Sequence, residues 1–192
     1  MTPAGRAARP GAVRIVGGRW RGSKLTVPAQ PGTRPTPDRV RETLFNWLGQ
    51  DLSGWRVLDA FAGSGALGFE AASRGAAEVV LLECDAALGR ALEAARRRLG
   101  AQALRVECAD AIAWMAEAAR ARPAAFDLVL LDPPFDAGLL APALAAALPL
   151  VAGGGWIYVE SGQPLAEAPP GLQMHRRLRA GAVHAALLRR DG

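Results

Sequence analysis

The stretch Val57-Leu58-Asp59-Ala60-Phe61-Ala62-Gly63-Ser64-Gly65-Ala66-Leu67-Gly68 restricts this chain more than any other. It runs from an apolar β segment through a glycine loop into a helical pattern. Glycine in such a loop lets the backbone turn sharply and approach a ligand with no Cβ in the way. A strand–loop–helix unit of this kind belongs to open α/β sheets, whose parallel strands are joined by right-handed helical crossovers. The downstream sequence keeps that rhythm. Strands are expected at residues 56–60, 78–83, 104–108, 126–131 and 156–160, with helical periodicity at 66–74, 86–99, 111–120 and 139–148. Residues 174–178 and 183–188 leave no room for a helix between them and predict an antiparallel hairpin. The 192 residues suffice for one such domain, and 51% hydrophobic composition fills its core.

Gly63, Gly65 and Gly68 match the dinucleotide pattern G-x-G-x-x-G, and Glu83 ends the second strand twenty residues after Gly63. A carboxylate there accepts both hydroxyls of a ribose. Position alone does not separate a nicotinamide dinucleotide from another adenosine cofactor, and a tight turn with no ligand is the plainer alternative. Asp59 weighs against the dinucleotide: a carboxylate just before the loop repels a pyrophosphate. It suits a cofactor carrying an amine and a sulfonium charge, which is the chemistry of S-adenosyl-L-methionine. Asp110 follows the third strand, where it can accept an adenine amino group while the backbone of residues 109–111 meets the ring. It can equally cap the helix that follows.

Strand four delivers Asp132-Pro133-Pro134-Phe135 to the carboxyl end of the sheet. The prolines have fixed φ and no N–H, so they form a rigid platform. The Asp132 carboxylate and the Pro133 carbonyl are then two fixed acceptors, and Phe135 offers a flat apolar face. That set suits an exocyclic amine on a planar base. The lone pair of such an amine is delocalised into the ring, so positioning and electrostatics must supply most of the help. Phe135 would stack on a base rotated out of its surroundings. A strand-ending Pro-Pro turn with Phe135 in the core is the plainer reading.

Charge is distributed unevenly. Residues 1–41 hold nine basic side chains and one acid, whereas the remaining 151 hold 14 basic and 17 acidic ones. A positive end on a slightly negative body predicts a local polyanion contact. A solubilising tail is the plainer reading; glycines and Trp20 interrupting the run, and its continuation into a helix expected from Pro37 or Asp38 through Leu48, weigh against it. Short strands are expected at 13–16 and 24–27, and residues 28–37, with four prolines, as extended loop.

Cys84 and Cys108 are expected as reduced thiols in the core. No Cys/His spacing supports a metal site, and His175 and His184 are expected as surface or packing residues of the terminal hairpin. The uncharged run from Gly138 to Tyr158 contains Pro142, Pro149 and a glycine triplet, so it reads as helix, turn and strand and not as a membrane span. With no secretory signal in view, a cytoplasmic location is expected.

These motifs together resemble the class I S-adenosylmethionine-dependent methyltransferases that carry an Asp/Asn-Pro-Pro-aromatic motif. Within that class the chain is similar to the bacterial 16S ribosomal RNA (guanine-966-N2)-methyltransferase family. The stretches carrying the resemblance are Arg14-Ile15-Val16-Gly17-Gly18 with Arg21-Gly22, and Arg34-Pro35-Thr36-Pro37-Asp38-Arg39-Val40-Arg41-Glu42-Thr43-Leu44-Phe45-Asn46-Trp47-Leu48. To these are added residues 58–68, 132–135 and Ile157-Tyr158-Val159-Glu160.

The family implies a Rossmann-like, mostly parallel sheet of seven strands in the order 3-2-1-4-5-7-6, strand 7 antiparallel, beside a small basic N-terminal β/helical extension. In these terms residues 1–12 form a flexible tail, 13–50 the extension and 51–192 the methyltransferase domain. The resemblance assigns Asp59, Phe61, Gly63, Ser64, Gly65, Glu83, Cys84, Asp110, Ala111 and Asp132 to the cofactor, with S-adenosyl-L-homocysteine as product. Asp132, Pro133, Pro134 and Phe135 are the catalytic set. Arg19, Arg21, Arg34, Thr36, Arg39, Arg41, Asn46 and Phe135 are assigned to the RNA, which is 16S ribosomal RNA in the 30S subunit or an assembly intermediate. A monomer without metal is implied. One departure is visible: the helix after Glu83 has Arg96-Arg97-Arg98 where the family usually carries an asparagine. An adenine-N6 methyltransferase, a nicotinamide oxidoreductase and a non-catalytic RNA-binding assembly factor are the competing readings.

Overall fold

The computed structural model describes residues 11–28 and 37–192; Arg34, Thr36 and residues 1–10 of the expected 1–12 tail lie outside the described residues, while Gly11 and Ala12 belong to a strand and not to a tail. The strands of the main sheet are β3 (Arg56–Asp59), β4 (Glu78–Leu82), β5 (Leu104–Glu107), β6 (Phe126–Leu131), β7 (Val151–Ser161), β8 (Leu172–Ala180) and β9 (Val183–Arg190). A smaller antiparallel pair, β1 (Gly11–Arg14) and β2 (Lys24–Val27), precedes them. The helices are α1 (Asp38–Leu48), α2 (Ala66–Ser73), α3 (Ala86–Leu99), α4 (Ala111–Ala121) and α5 (Leu140–Ala147).

The seven strands lie in the order β5-β4-β3-β6-β7-β9-β8. Counted within the sheet, this is 3-2-1-4-5-7-6. All neighbours from β5 to β7 pair in parallel, and β9 runs antiparallel between β7 and β8. β3 is the switch point: its helical connection leads to β4 on one side, while β6 flanks it on the other. Ligands of open α/β sheets bind above the carboxyl ends at such a point.

Alternation along the strands divides the core between the two faces. Val57, Leu128, Leu130, Tyr158 and Leu187 point to the face covered by Leu44 and Phe45 of α1, Phe69 of α2 and Leu92 of α3. Leu58, Val129, Leu131, Ile157 and Leu188 meet Met115 of α4 and Leu144 of α5 on the other.

The structure departs from the sequence expectation in several places. β1 begins and ends two residues earlier than expected: past Arg14 the pairing turns irregular, with fully buried Ile15 donating to Ser23 O and accepting Gly22 N–H, and Val16 N–H is taken by Glu70 of α2. β7 begins at Val151, so the glycine triplet is part of the strand and not a turn before it. Phe126 pairs with Val151 but Leu128 with Trp156, which leaves residues 152–155 as a bulge. A Cβ on Gly155 would sit 2.8–3.0 Å from Val151, Ala152 and Asp127, so only glycine fits the bulge where it crosses β6. Finally, Cys84 and Cys108 are exposed, not core thiols: each follows the last residue, or nearly so, of its strand, and the core ends there.

Candidate active site

Three neighbouring strands, β4, β3 and β6, end in or lead directly into a carboxylate: Glu83, Asp59 and Asp132. Asp59 is 1% exposed, and its Oδ2 accepts the Gly68 N–H at 2.9 Å. Burial pushes its pKa up to about 7, against the lowering effect of the Gly68 bond; the carboxylates of Asp132 and Glu83 raise it further. A Cβ on Gly68 would come within 2.1 Å of Leu81 and 3.0 Å of Asp59, so this glycine is what lets α2 approach the strand end.

The loop between β3 and α2 is held from both sides. Ala60 N–H donates to Leu130 O on β6, and Ala62 N–H donates to Leu82 O on β4. Glu83 clasps its middle: Oε2 accepts Gly63 N–H and Oε1 accepts Asp85 N–H, both at 2.8 Å. Gly63 and Gly65 have φ of 52° and 77°, and the carbonyl of Gly65 starts α2 by accepting from Phe69. Phe61 and Ser64 are half-buried on the same loop, and the Ser64 hydroxyl accepts Ala66 N–H.

Beyond Glu83, β4 and β5 continue to pair as Ala109 N–H donates to Glu83 O. This brings the exposed Cys84 beside Cys108, whose thiol lies 3.8 Å from the Cys84 carbonyl. Burial, with the Glu83 carboxylate adding to it, raises the Cys84 thiol pKa, so it is no thiolate nucleophile. Asp110 caps α4 through Oδ1, which accepts Ala113 N–H at 2.8 Å, and Ala111 is buried in the first turn. The cap occupies part of one carboxylate only.

On the other side, Asp132 is half-buried, Pro133 buried and Pro134 exposed. Phe135 is 44% exposed, the exposed large hydrophobic side chain among the described residues. Its ring rests over Gly162, just beyond β7, where a Cβ would meet it at 3.3 Å. The plainer reading of Phe135 as a core residue is therefore not what the structure has. Sequence reasoning expected the next strand but gave no role to its Tyr158–Glu160 pair: Tyr158, fully buried, donates its hydroxyl to Glu160 Oε1 at 2.8 Å. Burial, then the Glu160 charge, raises the Tyr158 pKa well above its ordinary value, keeping it a phenol. Two residues apart on one strand, both side chains share a face, a signal the sequence contained.

Of the residues expected to meet RNA, Arg19, Arg21, Arg39 and Asn46 are exposed, Arg19 with its guanidinium over the Trp20 ring and Asn46 accepting from Gln50. Arg41 is a correction. It is 0% exposed and turned inward, donating to Arg14 O at 2.8 Å, to Asp38 at 2.5 Å and to Glu70 at 3.4 Å. Its position on the helix decides this: Val40, Arg41, Leu44, Phe45 and Leu48 make up the buried face of α1. The arginine triplet on α3 also has structural partners. Arg96 and Arg97 bind Glu93, and Arg98 donates to the carbonyl of Lys24 on β2.

No helix among the described residues is long and apolar enough to cross a membrane, and no cluster of His, Cys, Asp or Glu there could hold a metal ion. A model of the family described as conserved hypothetical protein 95 matches residues 13–189. The ribosomal RNA small subunit methyltransferase D of Escherichia coli (strain K12) is 42% identical over 189 residues, covering 94% of this chain and 91% of its own. Among solved structures, the yhhF protein of Escherichia coli, described as a candidate methyltransferase, has a TM-score of 0.83 at 41% identity, covering 95% of this chain and 99% of that one. The Thermus thermophilus 16S rRNA N2 G1207 methyltransferase, in complex with AdoMet and guanosine, has a TM-score of 0.58 at 24% identity, over 96% of this chain and 45% of its own, a likeness of fold.

Proposed function

We propose that this chain, which belongs to the family of ribosomal RNA small subunit methyltransferase D, methylates the exocyclic N2 amine of one guanine in 16S ribosomal RNA. The methyl donor is S-adenosyl-L-methionine, and the RNA is met in the 30S subunit or an assembly intermediate. The observation that carries this reading is the pairing of an acid-rimmed glycine loop with Asp132-Pro133-Pro134 and an exposed Phe135 on adjacent strand ends.

The residues present fit the cofactor. Asp59, Glu83 and Asp132 surround the loop with negative charge, which complements a cation and repels a pyrophosphate. A carboxylate offers about four lone-pair sites. Glu83 therefore keeps acceptors for ribose hydroxyls while it holds Gly63 and Asp85. Asp110 and the backbone of Ala111 lie on the adenine side, with Cys84 and Phe61 flanking, and Ser64 and Gly65 line the methionine side. Bound there, S-adenosylmethionine supplies an electrophilic methyl on a sulfonium.

The chain's own residues then prepare the amine. Phe135 stacks the base, Asp132 and the Pro133 carbonyl accept the two amine hydrogens, and the nitrogen lone pair is left aimed at the methyl. Transfer of the methyl to the nitrogen would leave the cofactor as a neutral thioether, and Asp132 or water would take the proton released by the ammonium product. Pro134 and Pro133 fix the geometry by having no φ freedom. Arg19, Arg21 and Arg39, with Arg34, Thr36 and Asn46 of the same segment, contact the RNA backbone.

Labelled S-adenosylmethionine is to be offered with undermethylated 30S subunits, protein-free 16S RNA and DNA, followed by nucleoside mass spectrometry. N2-methylguanosine from the ribosomal substrate is expected, and Asp132→Ala should lose at least a hundredfold in transfer with cofactor affinity kept. N6-methyladenine in its place, or no product despite tight cofactor binding, would overturn the assignment.

A further inference from the structure

The hairpin β8–β9 plays no part in the site described above, yet residues 172–190 hold five arginines and no acid. β8 is the edge strand of the sheet, and His175, Arg176, Arg177 and Arg179 are all exposed on it. None of these arginines is in an ion pair among the described residues. Each spends a single donor on a nearby backbone carbonyl: Arg176 on His175, Arg177 on Ala166 and Arg179 on Gly181. Each exposed guanidinium has further N–H donors beyond that bond. An aromatic patch adjoins them, with the His175 ring edge-on to Trp156 at 4.9 Å and the Arg189 guanidinium 5.4 Å from the same indole.

Register ties this strand to the catalytic rim. Leu131, the residue before Asp132, pairs with Val159, which pairs with Ala186, which pairs with Arg177. Ser161, His184 and Arg179 make the next such row, one step further out on the rim. Three strand spacings separate β6 from β8, about 14 Å. That distance is spanned by a short stretch of nucleic-acid strand. The N-terminal extension lies on the opposite flank, with β2 against α3 and its 3-10 turn against α2.

We infer that β8 is a second phosphate-binding wall, and that it holds the RNA strand flanking the target base through Arg176, Arg177 and Arg179. The inference rests on the RNA reading proposed above. A strand edge needs only scattered charges of either sign to block edge-to-edge pairing. An acid-free run of arginines with open donors beside aromatic rings is instead the footprint of a polyanion with bases. The base-reading platform at Phe135 then lies between two basic flanks, which would grip the backbone on both sides of an extruded nucleotide.

The test uses the full chain carrying Arg176→Gln and Arg179→Gln together, substitutions at exposed positions that keep part of the stem. Binding to protein-free 16S RNA is followed as a function of salt. Loss of two phosphate contacts should lower affinity roughly tenfold at about 0.15 M salt and reduce the log–log salt slope by about 1.4 to 1.8. The lysine pair Arg176→Lys with Arg179→Lys should recover most of the slope. Calorimetric affinity for S-adenosylmethionine should not change. An unchanged affinity and slope in a folded double variant would overturn the inference, as would increased self-association as the sole effect, which is the mark of edge protection. The methylation reading fails separately: wild-type protein that binds RNA but yields no N2-methylguanosine defeats that reading, while the salt slope still decides the hairpin.

Discussion

Replacing Glu70 with alanine should loosen the N-terminal extension from the sheet. Glu70 is 0% exposed, and its two oxygens serve three segments. Oε1 accepts Nε and Nη2 of Arg74 at 3.0 and 2.8 Å; Oε2 accepts Val16 N–H at 2.8 Å and Arg41 Nη1 at 3.4 Å. The substitution removes a shared carboxylate from two guanidinium groups that are 0% and 5% exposed. Removing one partner of a buried ion pair costs about 3–5 kcal/mol, and an orphaned N–H adds about 1 kcal/mol. Since Arg41 keeps Asp38 and the Arg14 carbonyl, the lower part of that range applies, about 4 kcal/mol in all. For a chain of this length that lowers Tm by roughly 8–16 °C. Urea unfolding of wild type, Glu70→Ala and Glu70→Gln checks it; glutamine keeps an acceptor for Val16 and should fall between. A loss below about 1 kcal/mol for the alanine variant would refute the reasoning, because the ion pairs would then be dispensable.

Asp59, with its pKa near 7 against an ordinary 3.8, binds a proton more readily in the folded chain. Its contribution to stability is therefore fully present below about pH 4 and is lost as pH rises through 7, whereas a bound cation favours the carboxylate, so cofactor affinity should rise over the same range. Calorimetry at pH 6.5 in buffers of different ionisation enthalpy should detect proton release that Asp59→Asn abolishes; identical heats for both proteins would remove the assignment. Glu83→Ala should weaken S-adenosylmethionine roughly ten- to a hundredfold by removing a charged acceptor and freeing the Gly63 loop, and an unchanged affinity would defeat the ribose role. Gly68→Ala, with its Cβ 2.1 Å from buried Leu81, should cost about 1–3 kcal/mol in thermal unfolding and weaken the cofactor with it. A neutral Gly68→Ala would mean that α2 can shift without disturbing Asp59.

Local signals were the legible ones. The span of α3, residues 86–99, is readable because Asp85 caps it at one end and Gly100 ends it at the other, and α1 is bounded likewise by Pro37 and Gly49. The glycine loop and the acids at the strand ends are legible because strand, turn and helix follow one another without a gap. The pairing order of the strands is not in any local pattern and came with the resemblance. Where the sequence misled, a distant contact had decided. Arg41 counted as one more cation of a basic run until α2 supplied Glu70, 29 residues away, as its buried partner. The glycine triplet reads as a turn, and only the register against β6, where Phe126 pairs with Val151 but Leu128 with Trp156, makes it a bulge inside β7. The thiols look like core residues by type, but strand length, which exposes both, depends on where the sheet stops.

The same distant contacts give α2 a role beyond carrying the loop. All eight of its residues are buried, so both sides of the helix are in use. At its start, Gly68 N–H holds Asp59 at the carboxyl end of β3. From its last turn, Ser73 donates to Gly17 O at 2.7 Å and accepts Trp20 N–H at 3.0 Å, while Glu70 takes Val16. Gly18 fits there because a Cβ would lie 2.0 Å from the Ser73 carbonyl. The basic extension and the Asp59 carboxylate at the end of β3 therefore share one rigid, two-turn element. A shift of α2 large enough to move Arg19 and Arg21 would also stretch the Gly68–Asp59 bond, so the basic extension and the glycine loop should be ordered together and lost together.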